Sequence, residues 1–251
     1  MDHEHLRAQH GEDRLLAERF GHKRDGHYVE VGALDGEYLS NTYYFEKALG
    51  WTGVLVEPNP EQADLCRKHR PASHVATFAA VAPGHEGTVT LQVAEGNEGY
   101  STLSANRTYS RILSERNLVT TPLVVEATTL DAILEEAAMP AIDIMTVDVE
   151  GHELEALRGL DLRRWQPTVL LVESASGAPS LRISWLLFRS GYARVRRVIV
   201  NDWYEQAPLI RRAGLLLWAY VSSIPTVTRI AARESLRAIG LLDAVRNRRR
   251  R

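Results

Sequence analysis

The sequence predicts an α/β fold: a mostly parallel sheet with helices packed on both faces. Three observations point there. Short apolar runs alternate with amphipathic ones along most of the chain. Several runs, Thr52–Glu57, Ile142–Asp148 and Thr168–Glu173, are apolar at successive positions, as a strand covered on both faces must be. The first strong strand, Tyr28-Val-Glu30-Val-Gly32, runs straight into a glycine turn and then a helix.

In order, Leu6, Leu15, Leu16 and Phe20 predict a helix over residues 5–20. A strand over 26–32 follows. Next comes a helix from Asn41 to Leu49, capped near Ser40 or Asn41 and stopped at Gly50. The strand Thr52–Glu57 is cut off by Pro58 and Pro60, and a helix continues to about His69. Strands are expected at Val75–Val81 and Thr88–Val93, the latter in a hairpin. Residues 94–121, rich in Gly, Ser, Thr and Asn, read as a long loop with at most one short helix. Further on, the pattern gives strand Leu123–Ala127, helix Thr129–Ala138 stopped by Pro140, strand Ile142–Asp148 and helix Glu153–Leu160. It continues with strand Thr168–Glu173, helix Leu181–Ser190 and strand-like runs at Tyr192–Val195 and Val198–Trp203. The expected domains are an N-terminal helix (1–25), a ligand-binding domain (26–205) and a basic helical appendage (206–251).

The 251 residues are 45% hydrophobic and 25% charged, enough to bury a core without disulfides. Cys66 is the single cysteine, and the nine histidines show no zinc spacing. The polar start, Met1 to Arg7, lacks the order of a signal peptide. The longest apolar stretch, Gly214–Val227, falls short of the roughly 20 residues a bilayer needs. A soluble, cytoplasmic protein is expected. From Pro208 onward ten arginines face only Glu234 and Asp243, so this end carries +8 and the rest of the chain −10. The acidic body repels phosphates, so nucleic acid is not an expected partner. The preferred reading of the basic end is a solvated terminus. Alternatives are peripheral membrane contact, cover for the sheet, or a homodimer interface, with Ile230, Leu236, Ile239, Leu242 and Val245 forming an apolar stripe.

Chemistry concentrates in three places. After Glu30, the turn Gly32-Ala-Leu-Asp35-Gly36 brings backbone N–H groups close to a ligand. Glu57 ends the next strand, where an acid accepts hydrogen bonds from both ribose hydroxyls in Rossmann-like folds. In Asp148-Val-Glu150-Gly151-His152-Glu153, Asp148 and Glu150 sit beyond a strand's carboxyl end, and His152 titrates near neutrality. A simpler reading keeps Glu150 and Glu153 as charges at a helix start.

These pieces together resemble the FkbM-type S-adenosylmethionine (SAM)-dependent methyltransferases, from about Tyr28 to Tyr204. The residues that carry the resemblance are Val29–Gly36, Ser40-Asn-Thr42, Gly50–Pro60, Ala79-Ala-Val81, Thr128-Thr-Leu-Asp131 and Asp148–Glu153. The resemblance implies a Rossmann-like class I methyltransferase fold, a seven-stranded sheet with one antiparallel edge strand. It implies that Glu30, Gly32 and Gly36 surround the methionine part of SAM, with Asp35 and Asn41 nearby. Glu57 would hold the ribose, Ala80 and Val81 would border the adenine, and Asp148 would face the sulfonium. It also implies a small-molecule acceptor, a sugar or natural-product hydroxyl. Two departures stand out: Leu34 replaces the middle glycine of the general pattern, and Ala79-Ala80-Val81 lacks the usual acid.

A hydroxyl acceptor must lose a proton, and the candidate bases, in order, are Asp148, Glu150 and His152. A divalent cation on Asp148, Glu150 and Glu173 is the less favoured alternative. Tyr100, Ser101, Thr102, Arg107 and Tyr109 are expected in a substrate lid, and Trp203 and Tyr204 beside the acceptor. Two other classes compete. A nicotinamide-dependent oxidoreductase shares the strand, turn and acid, but Gly32–Gly36 is not G-x-G-x-x-G and no Tyr-x-x-x-Lys pair accompanies it. A non-catalytic membrane-docking module would use the basic C-terminus.

Overall fold

The computed structural model describes residues 3–103, 111, 113–174 and 180–222. The elements are α1 (Glu12–Arg19), β1 (His27–Val31), α2 (Tyr43–Leu49), β2 (Thr52–Val56), α3 (Pro60–His69), β3 (Ser73–Ala76), β4 (Ala79–Ala80) and β5 (Gly87–Ala94). After these come β6 (Thr120–Thr128), α4 (Leu130–Glu136), β7 (Ile144–Val147), α5 (Glu153–Arg158), α6 (Leu162–Trp165) and β8 (Val169–Glu173). The last are α7 (Leu181–Arg189), β9 (Tyr192–Val198), β10 (Asn201–Gln206) and α8 (Leu209–Ser222).

Seven strands form the main sheet in the order β3-β2-β1-β7-β8-β10-β9. Pairings from β3 to β8 are parallel, and β10 is antiparallel to both neighbours. The antiparallel strand is therefore second from the edge, a correction to its expected edge position. The reason is chain reversal: β9 leaves α7 parallel to the body of the sheet, and the chain then turns back to fill the slot between β8 and β9.

Strand periodicity divides the core in two. Val29, Val31, Val54, Val56, Met145, Val147, Leu170 and Val172 face one way, against Leu130, Ile133 and Leu134 of α4, Leu157 of α5 and Leu187 of α7. Tyr28, Leu55, Ile144, Val169 and Leu171 face the other way, against Leu16 of α1, Phe45 and Leu49 of α2 and Cys66 of α3. This is the two-layered burial that the uninterrupted apolar runs require.

Helix ends follow local chemistry. Asn59 accepts from the Glu61 N–H at the start of α3, with Pro60 at its first position, and Gly50 ends α2 at φ 71°. Ser40 Oγ accepts from the Thr42 and Tyr43 N–H groups ahead of α2. The expected helix over 5–20 is shorter. Gly11 at φ 78° breaks it, and the Asp13 carboxylate accepts from the Arg7 and Ala8 N–H groups, holding residues 6–11 as a strap ahead of α1. The expected strand 75–81 is two strands. Beyond Ala76 the chain leaves the main sheet, and β4 joins a separate sheet ordered β4-β6-β5. There β5 pairs antiparallel with β6 across residues 95–119 rather than in a tight hairpin. The start of α8 packs on the end of α7, where Arg212 Nη1 donates to Phe188 O at 2.6 Å. Among the described residues, no helix is long and apolar enough to cross a membrane.

Candidate active site

The site begins where β1 runs out. Gly32 adopts φ 83°, and a Cβ there would lie 1.8 Å from the Asp148 carbonyl oxygen. Only glycine lets the turn after β1 pass so close to the end of β7. Two residues on, Leu34 also has a positive φ of 51°. The side chain at the missing-glycine position thus keeps the backbone path a glycine would take, at a cost of roughly 1–3 kcal/mol. Asp35 Oδ1 accepts from the Glu37 and Tyr38 N–H groups at 2.9 and 2.7 Å and closes the turn.

Glu30 is buried and saturated. Its carboxylate accepts from Ser40 Oγ, Thr42 Oγ1 and the Asn41 N–H at 2.7, 2.6 and 2.8 Å. The buried Arg70 guanidinium lies 3.6 Å away and also donates to Glu46, Gly36 O and Thr42 Oγ1. Glu30 therefore fastens the start of α2 to the end of β1. Burial pushes the Glu46 carboxyl up, but Arg70, Ser73 and Tyr28 outweigh it and hold Glu46 below its ordinary value.

Glu57 ends β2 with 7% of its surface exposed. Its oxygens accept from the Leu34 and Asn59 N–H groups, each at 2.9 Å. Burial nevertheless lifts its pKa to about 7. Across the turn, burial raises the Asp148 carboxyl well above the carboxylate range, and the charges of Glu153, Glu30 and Glu12 raise it further. Glu153 caps the bend after β7, accepting from the Gly151 N–H at 2.7 Å. Glu150, at φ 51°, is clasped through its carbonyl by Thr102 Oγ1 at 2.7 Å.

Two adjoining spaces open at this sheet edge. A cavity of about 790 Å³ is lined by Glu30, Gly32, Asp35, Asn41, Asp148 and Glu150, among others. A slot of about 70 Å³ is lined by Glu57, Pro58, Phe78, Ala79, Ala80 and His152, among others. Gly32, Leu34, Glu98, Gly99, Asp148 and Glu150 border both. Asp148 and Glu150 thus stand at the junction, whereas His152 lines only the slot. Burial lowers the His152 pKa.

Two expected ligand neighbours line neither space. A Cβ on Gly36 would lie 3.0 Å from Arg70 Cγ and 3.2 Å from Cys66 Cα, so that glycine serves the packing of α3. Val81 is buried in the core of the three-stranded sheet, its N–H bonded to Thr128 O. Trp203 and Tyr204 likewise do not reach the cavity. They are buried on opposite faces of the main sheet, and the Tyr204 hydroxyl lies 3.2 Å from Ser184 Oγ. In the expected lid, Glu98 and Gly99 line both spaces and Tyr100 the large cavity, and Arg116 lies over the Tyr100 ring at 4.7 Å. Arg107 and Tyr109 lie outside the described residues.

Sequence reasoning missed one wall. Gln9, His10, Glu12 and Asn201 line the large cavity. Glu12 is fully buried, accepting from Asn201 Nδ2 at 2.8 Å and the His10 N–H at 2.9 Å. In sequence Glu12 reads only as an acid in a helix's first turn, and nothing local links it to a strand 189 positions away. Glu173 joins the same cavity, yet among the described residues no group of three or more His, Cys, Asp or Glu is arranged to hold a metal.

The residues present fit SAM. The turn after β1 lines both spaces through Gly32 and Leu34, and Glu57 offers a carboxylate at the slot. Asn41 Oδ1 is buried with no hydrogen-bond partner in the protein, beside a cavity that its residue lines.

Among solved structures, a TehB-like SAM-dependent methyltransferase from Corynebacterium glutamicum aligns at 10% identity with TM-score 0.41, covering 80% of this chain and 89% of that one. A putative sarcosine dimethylglycine methyltransferase from Galdieria sulphuraria aligns at 10% identity with TM-score 0.39, covering 94% and 80%. MtNAS in complex with MTA and tNA aligns at 12% identity with TM-score 0.38, covering 78% of this chain but only 60% of that one. No curated protein matches the chain. The sequence pattern described as "Methyltransferase FkbM domain" matches residues 30–192, well over half of the length. The chain belongs to the FkbM family of SAM-dependent methyltransferases.

Proposed function

We propose that this enzyme methylates a hydroxyl oxygen of a sugar or natural product, with Asp148 as the base. One observation carries the assignment: Asp148 borders both the slot and the large cavity, and its surroundings favour proton uptake. SAM, when bound, supplies an electrophilic methyl group.

The protein's own groups do the rest. Glu57, fixed by the Leu34 and Asn59 N–H groups, accepts from the ribose hydroxyls. Phe78, Ala79, Ala80 and the neutral His152 wall the base-binding slot. Asn41 Oδ1 and the turn over residues 32–35 receive the amino-acid end, while Glu30 and Arg70 fix that turn from beneath. Asp148 takes the acceptor's proton, with Glu150 as the second carboxylate at the junction. A base whose pKa lies near the working pH is the more effective one. Glu12, Glu150 and Glu173 make the remaining wall acidic, which favours hydroxyl donors over anionic acceptors.

The test is Asp148→Asn, assayed with methyl-labelled SAM against a panel of glycosides and polyketides. The variant should bind S-adenosylhomocysteine within a few fold of wild type and lose about 10²–10⁴-fold in turnover. Wild-type turnover should rise with pH as Asp148 loses its proton. Undiminished turnover in the variant sinks the base assignment. Folded wild-type protein that fails to bind S-adenosylhomocysteine at millimolar concentration sinks the cofactor site as drawn.

A further inference from the structure

Away from the cavity, α7 and the start of α8 carry a cluster of exposed large apolar side chains. Leu181 is 54% exposed, Trp185 53%, Leu209 60% and Ile210 83%. On its opposite face α7 buries Ile183, Ser184 and Leu187 against the body, so the exposed face is not a misplaced core. The Trp185 ring stacks on Phe188 at 5.5 Å, and the Arg212 guanidinium of α8 lies over the Phe188 ring at 5.4 Å, joining the two helices. Arg182, Arg189 and Arg211 are exposed on the same two helices, which contain no Asp or Glu.

A face that is apolar and basic at once narrows its partner. The sequence beyond residue 222 holds eight arginines against two acids, so laying it over this face sets positive charge on positive charge. A second copy docked through the same face meets the same repulsion. An anionic lipid surface satisfies both features: its phosphates pair with the arginines while Trp185, Leu181, Leu209 and Ile210 enter the interfacial zone.

We infer that α7 and α8 form a docking face for anionic membranes, on which the enzyme lies without spanning. The proposal is independent of the acceptor and of the catalytic base.

Full-length protein is co-sedimented with phosphatidylcholine vesicles containing about 30% phosphatidylglycerol, and with phosphatidylcholine alone. Wild type should bind the anionic vesicles, and more weakly at high salt. Trp185→Glu/Ile210→Glu and Arg182→Glu/Arg211→Glu should each lower that binding about tenfold or more, with S-adenosylhomocysteine affinity unchanged as the check of folding. Trp185 emission should shift to the blue on anionic vesicles, and Trp185→Phe, which keeps the fold, should remove that part of the shift. The idea is overturned by negligible or lipid-independent binding. It is equally overturned by binding that ignores all these substitutions, which would assign it to the terminal arginines alone. A concentration-dependent dimer abolished by Trp185→Glu/Ile210→Glu would assign the face to a second copy instead.

Discussion

Glu57 shows how one residue's surroundings set the behaviour of the site. Its carboxyl is buried and steadied by two backbone N–H groups, with no cation beside it among the described residues, so burial lifts its pKa to about 7. A ribose diol donates to the ionised form, so ligand binding and loss of that proton are coupled. S-adenosylhomocysteine affinity should therefore rise with pH through about 7 and then level off. Glu57→Gln should weaken binding about 10- to 100-fold and flatten much of that pH dependence, since a hydrogen bond to a charged group is worth about 1.5–3 kcal/mol. Titration calorimetry from about pH 6 to 8 measures both, and an unchanged slope in the variant counts against this role. The stability of the empty protein runs the other way. The folded state holds a proton that the unfolded chain releases at the ordinary carboxylate pKa. Stability from this group therefore declines as pH rises from 4.5 to about 7.

At the scale of elements, α3 supports the binding turn from behind. Its last turn delivers Arg70, fully buried, to Glu46 at 2.9 Å and to the backbone at Gly36 and Thr42. One guanidinium thereby joins α2, α3 and the turn after β1, and Tyr28 O–H and Ser73 Oγ–H complete the shell around Glu46. Removing it leaves Glu46 with Lys47 as its cation and Glu30 with its hydrogen bonds alone. Arg70→Met should cost about 3–5 kcal/mol in urea unfolding, the usual penalty for breaking a buried ion pair from one side. A loss under about 1 kcal/mol would show that the network contributes little. The strap over residues 6–11 is held by buried Asp13 and Glu12 together with Leu6, which packs on the core.

Over the whole molecule, cohesion is uneven. The main sheet is covered on both faces, whereas the three-stranded sheet rests on a small core of Ala79, Val81, Leu91, Val125 and Ala127, with Val124 68% exposed. Local opening follows such differences. Amide exchange should be fastest in β5 and β6 and slowest in β1, β2, β7 and β8. Adding S-adenosylhomocysteine should slow exchange at residues 30–35, 98–101 and 148–150, which border the two spaces. Equal protection in both sheets, or no change on adding ligand, would contradict this picture.

The sequence by itself determined the central strands β1, β2, β7 and β8, the glycine turn and the acids at the ends of β1, β2 and β7. Each of those is a local signal: apolar periodicity, a backbone that needs glycine, a carboxylate where a strand stops. It showed the departure at Leu34 but not that Leu34 keeps the glycine's backbone conformation, because φ is imposed by the surrounding turn. Only the tertiary structure decided where β10 inserts, that Trp203 and Tyr204 belong to the core, and that His152 faces the slot alone. It also decided that Glu12 and Asn201 meet at the cavity wall. Sheet order brings distant segments together through pairing, and pairing leaves no mark on either segment alone.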